Sequence, residues 1–267
     1  GGATAEAAAE DLHPAPQAPE DLHPALWRAH QLGRSRGVTV ASGYTELDAV
    51  LPGGGWPAGS LSELLLPHAG LGELRLLAPA LAAVQAQQRD VMLFDPPAQP
   101  CAWVCKACGL DLQQLYVVHS RAAAQGRAGG PLPAVDLLWA LEQALKSGHV
   151  GAVLAWLPAR LSADALRRLQ LAAQGHDGPA FLLRDAAVRH KPSPAPLRLL
   201  LRAADRGAPD MLRVQLLKRR GPPLLQPLLL ALPPVLSAPA LARARRLATG
   251  AATVAASAVQ QRSSTLR

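Results

Sequence analysis

The stretch Gly59–Leu81, GSLSELLLPHAGLGELRLLAPAL, constrains the fold more than any other part of the chain. Leu61–Leu66 is an apolar run of buried-strand length and Pro67–Gly72 is turn-forming. From Glu73 onward, Leu74, Leu77 and Leu81 recur along one helical face. Strand, glycine loop and helix is the order of a phosphate-binding loop. Such loops read Gly-x-x-x-x-Gly-Lys-Ser/Thr because backbone amides cradle the phosphates, the lysine reaches the β- and γ-phosphates, and the hydroxyl ligates magnesium. Here Gly72 is followed by Glu73 and Leu74. Shifting the register by one residue puts Gly72 at the lysine position and Glu73 at the hydroxyl position. A carboxylate in place of an ammonium repels a nucleotide, and the first lysine in the chain is Lys106. Pro67, Gly70, Gly72 and Glu73 therefore predict the outline of a phosphate loop without its ligand.

Strand and helix patterns alternate on either side of this unit. Val38–Leu47 leads through Leu51-Pro52-Gly53-Gly54-Gly55, where three glycines permit a tight reversal, into the first central strand. Residues 90–95 read as a second buried strand, 101–110 as a helix, 115–119 as a third strand and 134–146 as a helix. Residues 150–157 read as a fourth strand, 161–173 as a helix and 179–183 as another strand. Residues 121–133, rich in Ala, Gly and Gln, read as a mobile loop. After the Pro-rich segment 191–196, the apolar runs 197–203 and 212–217 read as an antiparallel edge hairpin ended by Lys218-Arg219-Arg220-Gly221-Pro222-Pro223. The alternation predicts an α/β fold with three layers and a mostly parallel central sheet. Residues 25–235 form that domain, opening with a short helix at 25–34. Residues 1–24 are an acidic, Pro-rich tail and 236–267 an Ala/Arg-rich one. The tail repeats Glu-Asp-Leu-His-Pro-Ala at residues 10–15 and 20–25. No apolar run reaches the roughly 18 residues that span a bilayer, and no basic segment precedes an apolar one at the start, so the expectation is a cytoplasmic protein.

The formal charge of +8 is unevenly placed. Residues 1–25 carry five acids and no Lys or Arg, whereas residues 184–220 carry 10 basic against 3 acidic residues and residues 221–267 carry 5 against none. The last third is where nucleic acid or an acidic protein surface would be met. Compositional bias toward arginine, 23 of the 27 basic residues, accounts for the same pattern without any ligand. Trp27 is either a partner anchor or a cap on the core. Lys218, Arg219, Arg220, Arg243, Arg245 and Arg246 are the other candidate contacts with a partner or DNA, against the plain reading of solvated turns.

Catalytic and metal chemistry find little footing. Cys101, Cys105 and Cys108 match Cys-x3-Cys-x2-Cys, a spacing that holds an iron–sulfur cluster in some enzymes. The same spacing is one face of a helix, and cysteine packs as a small apolar side chain. The helix-core reading is the favoured one. The histidines are scattered, and Asp48, Asp90, Asp95 and Asp136 sit at element ends where capping is their ordinary role. No catalytic residue, cofactor or metal is expected.

SGYTELDAVLPGGGWPAGSLSELLLPHAGLGELRLLAPAL, DLLWALEQALKSGHVGAVLAWL and LRVQLLKRRGPP together resemble the RecA-like P-loop core, and within it the ImuA family of translesion DNA synthesis proteins, over residues 22–230. The resemblance implies a RecA-like fold and marks three losses. The phosphate-loop lysine and hydroxyl are absent, the catalytic glutamate falls near Pro97, and the Walker B aspartate falls near Ala155-Trp156-Leu157. It further implies a non-catalytic scaffold of the SOS-induced mutasome, partnered by an ImuB-type polymerase-like protein and an error-prone DNA polymerase III α subunit, with RecA as a further partner and nucleoid association. Two alternatives stand beside it. One is a SulA-like SOS cell-division inhibitor that binds the tubulin-like protein FtsZ, since that family also resembles a RecA core without nucleotide chemistry. The other is a recombination mediator acting on RecA or DNA.

Overall fold

The computed structural model describes residues 37–120, 135–204, 210–235 and Pro239. The expected short helix at 25–34, the loop 121–133, Trp27, Arg243, Arg245 and Arg246 lie outside the described residues, as do the tails apart from Pro239.

Strands β1 (Thr39–Val40) and β2 (Trp56–Pro57) pair antiparallel in a small sheet, with the four-residue helix α1 (Thr45–Asp48) between them. The glycine reversal sits inside this unit. Gly53 and Gly54 have φ of 83° and 81°, and a Cβ on Gly55 would lie 2.5 Å from the Val40 carbonyl oxygen, so the turn closes only with glycine. The main sheet then begins with β3 (Leu61–Leu66), whose six residues are all buried. Helix α2 (Glu73–Gln85), β4 (Asp90–Phe94), helix α3 (Ala102–Ala107) and β5 (Leu115–Val118) follow. Next come helix α4 (Val135–Lys146), β6 (Val150–Trp156), helix α5 (Ala163–Ala173) and β7 (Ala180–Asp185). The chain closes with β8 (Leu197–Ala203), β9 (Met211–Lys218) and β10 (Leu228–Ala231).

The eight-stranded sheet has the order β10-β9-β8-β3-β7-β6-β4-β5. Every pairing from β8 to β5 is parallel, and β9 and β10 extend it antiparallel. Strand β3 is therefore central, and crossover helices on both faces bury it on both sides. Its alternate residues serve opposite cores. Leu64 and Leu66 join α2, Trp56 and Phe181, while Leu61 joins α4 and α5. Trp56 and Phe181, both fully buried, meet edge to face with ring centroids 5.1 Å apart.

Helix α2 holds together despite Pro79 in its interior. Proline lacks the N–H that would bond the Arg75 carbonyl one turn back. The Tyr44 hydroxyl supplies the missing donor, at 3.2 Å from that carbonyl oxygen. The proline ring also packs under Gly43, where a Cβ would approach within 2.4 Å. At the far end, buried Gln85 donates to the carbonyls of Asp111 and Gln114 at 2.8 and 3.1 Å and accepts from the Asp111 amide at 2.9 Å, which ties α2 to the entry of β5.

Four sequence expectations change here. Leu74 is only half-buried, because the helical stripe turns through Leu76, Leu77, Leu81 and Val84. The three cysteines do not share a core face: α3 is too short, so Cys101 and Cys108 fall at its caps, and only Cys105 is buried. The edge hairpin does not end the sheet, since the chain returns after the Pro222-Pro223 turn as β10 against β9. Strand β3 is not uniformly apolar, since it buries Ser62 and Glu63.

Candidate functional site

The loop of residues 67–72 leaves the C-terminal end of β3 and enters α2, as the spacing predicts. Gly70 and Gly72 adopt φ of 84° and 104°, which turns successive amides inward. The group they enclose is the side chain of Glu73. Its Oε1 accepts from the Gly70 amide at 2.8 Å and its Oε2 from the Gly72 amide at 3.1 Å, and the residue is 4% exposed. The carboxylate does more than repel an incoming phosphate: it occupies the amides a phosphate would use. Its place at the first position of α2, where aligned peptide dipoles favour an anion, adds to the hold. A Cβ on Gly72 would lie 2.6 Å from Leu232, so this turn is also fixed against the chain beyond β10. Arg75, one turn into the helix, extends away to Asp210 at 2.7 Å and to the Pro233 carbonyl at 3.1 Å.

Pro97 is exposed beyond β4, and Trp156 closes β6 with Leu157 buried behind it. Asp95, at φ of 45°, turns its carboxylate to accept from the Ser120 amide at 2.5 Å. A cleft of about 190 Å3 opens between His68, Trp156 and Arg184 at the ends of β3, β6 and β7. No group of three or more His, Cys, Asp or Glu suited to a metal occurs among the described residues. Burial pushes the Cys105 and Cys108 thiols up, which disfavours their thiolate forms.

The strongest electrostatic feature was missed in the sequence. Glu63 is fully buried at the centre of β3 and bridges two buried arginines. Arg184 on β7 reaches Oε1 at 2.5 Å, and the Arg198 Nε on β8, the register partner of Glu63, donates to Oε2. Arg184 also donates to the Ala159 carbonyl at 3.2 Å. The remaining Arg198 donors go to the carbonyls of Val188, Arg189 and Lys191. The triad thus staples three adjacent parallel strands and the segment 188–191 above them. The signal available was one charge in each of three otherwise apolar runs, LSELLL, AFLLR and LRLLL.

The basic candidates at the end of β9 are largely spoken for. Lys218 donates to the Ser193 carbonyl at 3.0 Å, and Arg219 donates to the carbonyls of Pro222, at 2.8 Å, and Val50. Arg220 is exposed. Sequence reasoning passed over Arg202 and Arg213, which stand directly opposite each other on β8 and β9, both exposed. No helix among the described residues is long and apolar enough to cross a membrane.

Comparison with known proteins bears on residues 59–180, which match the family model "Cell division inhibitor SulA". The matched span runs from the first central strand to the start of β7. A cell division inhibitor SulA of Pectobacterium atrosepticum is 32% identical over 123 residues, which cover 44% of this chain and 67% of the relative. The same named protein of Yersinia enterocolitica is 32% identical over 127 residues, covering 48% and 68%. That of Pectobacterium carotovorum is 31% identical over 109 residues, covering 41% and 58%.

Proposed function

Since the chain belongs to the SulA family, we propose that it is a non-catalytic inhibitor of cell division, acting in the SOS response to DNA damage by binding FtsZ. The observation that carries this reading is the shared name of the relatives, cell division inhibitor, over the span that includes the loop and Glu73. Of the readings open at the sequence level, the mutasome scaffold with its polymerase-like and polymerase partners, and the recombination mediator, have no counterpart in those names.

The fold assigned to the chain under this reading is a RecA-like core without nucleotide. Its supports are the placement of β3, the loop and α2 at the centre of the parallel strands, and the Glu73 carboxylate seated on the loop amides. An inhibitor that binds one partner in proportion needs no hydrolysis cycle. A rigid domain suits that role, and the Glu63 triad and the Glu73 loop provide rigidity where a nucleotide enzyme keeps a mobile site. Expression of the full chain from a controlled promoter tests the reading. Cells should elongate into filaments without septa while their DNA continues to segregate. Normal division at high expression would count against it.

A further inference from the structure

Strand β10, the end of β8 and the start of β9 are covered on one face only; nearer the start of β8, residues 186–191 cover Arg198 and Leu200 on the other face. Leu199, Leu201, Leu212, Val214 and Leu230 point into the core beneath α2, and their neighbours on the strands turn to the other face. On that face the register sets Arg202 opposite Arg213, and Arg213 opposite Leu229. The three make one row across three strands, all exposed, with Leu229 at 54%. Neither arginine meets a carboxylate among the described residues. None of the three strands contains an acidic residue, and the 47 residues after Arg220 contain none either. Like charges placed directly opposite across a sheet destabilise it, so the row costs the folded chain stability and gains nothing within these strands.

We propose that this row is the surface by which the chain engages an acidic segment of its protein partner, an inference that rests on the inhibitor reading above. Two guanidiniums side by side present parallel N–H donors that fit paired carboxylates bidentately. The exposed leucine at the end of the row offers the apolar contact that arginine-centred protein interfaces use beside such pairs. A nucleic acid would be served by cations spread along a backbone track. Here Lys218 and Arg219 are turned onto backbone carbonyls instead.

Light scattering of FtsZ assembly, with the purified full chain added, provides the test, using the wild type, R202E and R202K. In R202E the new glutamate faces Arg213, so the like-charge pair becomes an opposite-charge pair and the thermal midpoint should rise. The same change should raise the concentration giving half-inhibition at least tenfold, while R202K stays within about threefold of wild type. Loss of inhibition together with gain of stability separates a binding role from a folding defect. If the wild type does not suppress assembly, the inhibitor reading itself fails. If the wild type suppresses it and R202E does so within twofold, that reading stands and the arginine row is excluded. Inhibition by R202E at the wild-type level with weakened retention of single-stranded DNA would assign the row to nucleic acid and overturn the proposal.

Discussion

The carboxylate of Glu73 lies 2.8 Å from the Gly70 amide and closes the loop of residues 67–72 around itself. The chain has thereby built an internal anion into a loop shaped for an external one. A buried, charge-assisted pair of hydrogen bonds of this kind contributes about 1–3 kcal/mol.

Glu73→Ala should therefore lower the thermal midpoint by several degrees, at about 2–4 °C per kcal/mol for a domain of this size. It should also leave the Gly70 and Gly72 amides open, so that tens of millimolar sulfate restores part of the loss in the variant and none in the wild type. A thermal scan with and without sulfate checks both. Equal sulfate response in the two proteins would contradict the seating of the carboxylate.

The intact loop should not accept a nucleotide. Calorimetric titration of the wild type with ATP and magnesium should give no binding heat, and a dissociation constant in the micromolar range would contradict the account.

Glu63 pairs with two arginines that are 4% and 7% exposed. Removing it leaves both charges buried without their partner, a change that costs about 3–5 kcal/mol. Glu63→Ala should accordingly unfold at far lower urea concentration than the wild type. A triple replacement, Glu63→Leu with Arg184→Met and Arg198→Met, should recover most of the loss because it removes the charges together. If the single variant were as stable as the triple, the triad would not be holding the three strands.

Tyr44→Phe deletes the donor that compensates for Pro79 and leaves the Arg75 carbonyl short of its helical bond. The expected loss is about 1 kcal/mol by chemical denaturation. Adding Pro79→Ala restores an N–H to the helix, so the loss from Tyr44→Phe should shrink in that background.

His176 is 2% exposed, and neither ring nitrogen has a hydrogen-bond partner among the described residues. Burial pulls its pKa below the ordinary value, against the neighbouring Asp177 carboxylate and in the same direction as the Arg89 guanidinium. The unfolded chain therefore takes up this proton first as the pH falls. Stability is full above about pH 6.5 and declines below it, by at most about 1.4 kcal/mol per pH unit from this one group. Urea midpoints measured between pH 7.5 and 5 should show that decline, and His176→Leu should flatten it.

The strand, loop and helix around Glu73 were legible because glycines and proline punctuate two clear hydrophobic periods. So were β6 and residues 180–183 of β7, whose unbroken apolar residues match strands buried on both faces. The fate of Glu73 was not legible beyond its charge, because a side chain's return onto its own loop depends on the left-handed turns at Gly70 and Gly72. Glu63 was hidden for another reason. A lone charge in an apolar run carries no sign of its partners until the sheet sets it between Arg184 and Arg198, 121 and 135 residues away in sequence. Short pieces escaped as well: β1, β2 and β10 have two to four residues each, and pairing rather than pattern creates them. The cysteine face failed through length, since α3 has six residues and three positions spanning two turns need more.

The claim on which the rest depends is the identity of the partner. Capture from DNA-damaged cells with the tagged full chain, followed by mass spectrometry of the bound proteins, addresses it most directly. The account predicts FtsZ among the recovered proteins, with recovery reduced by R202E. Recovery of an ImuB-type polymerase-like protein without FtsZ would contradict it.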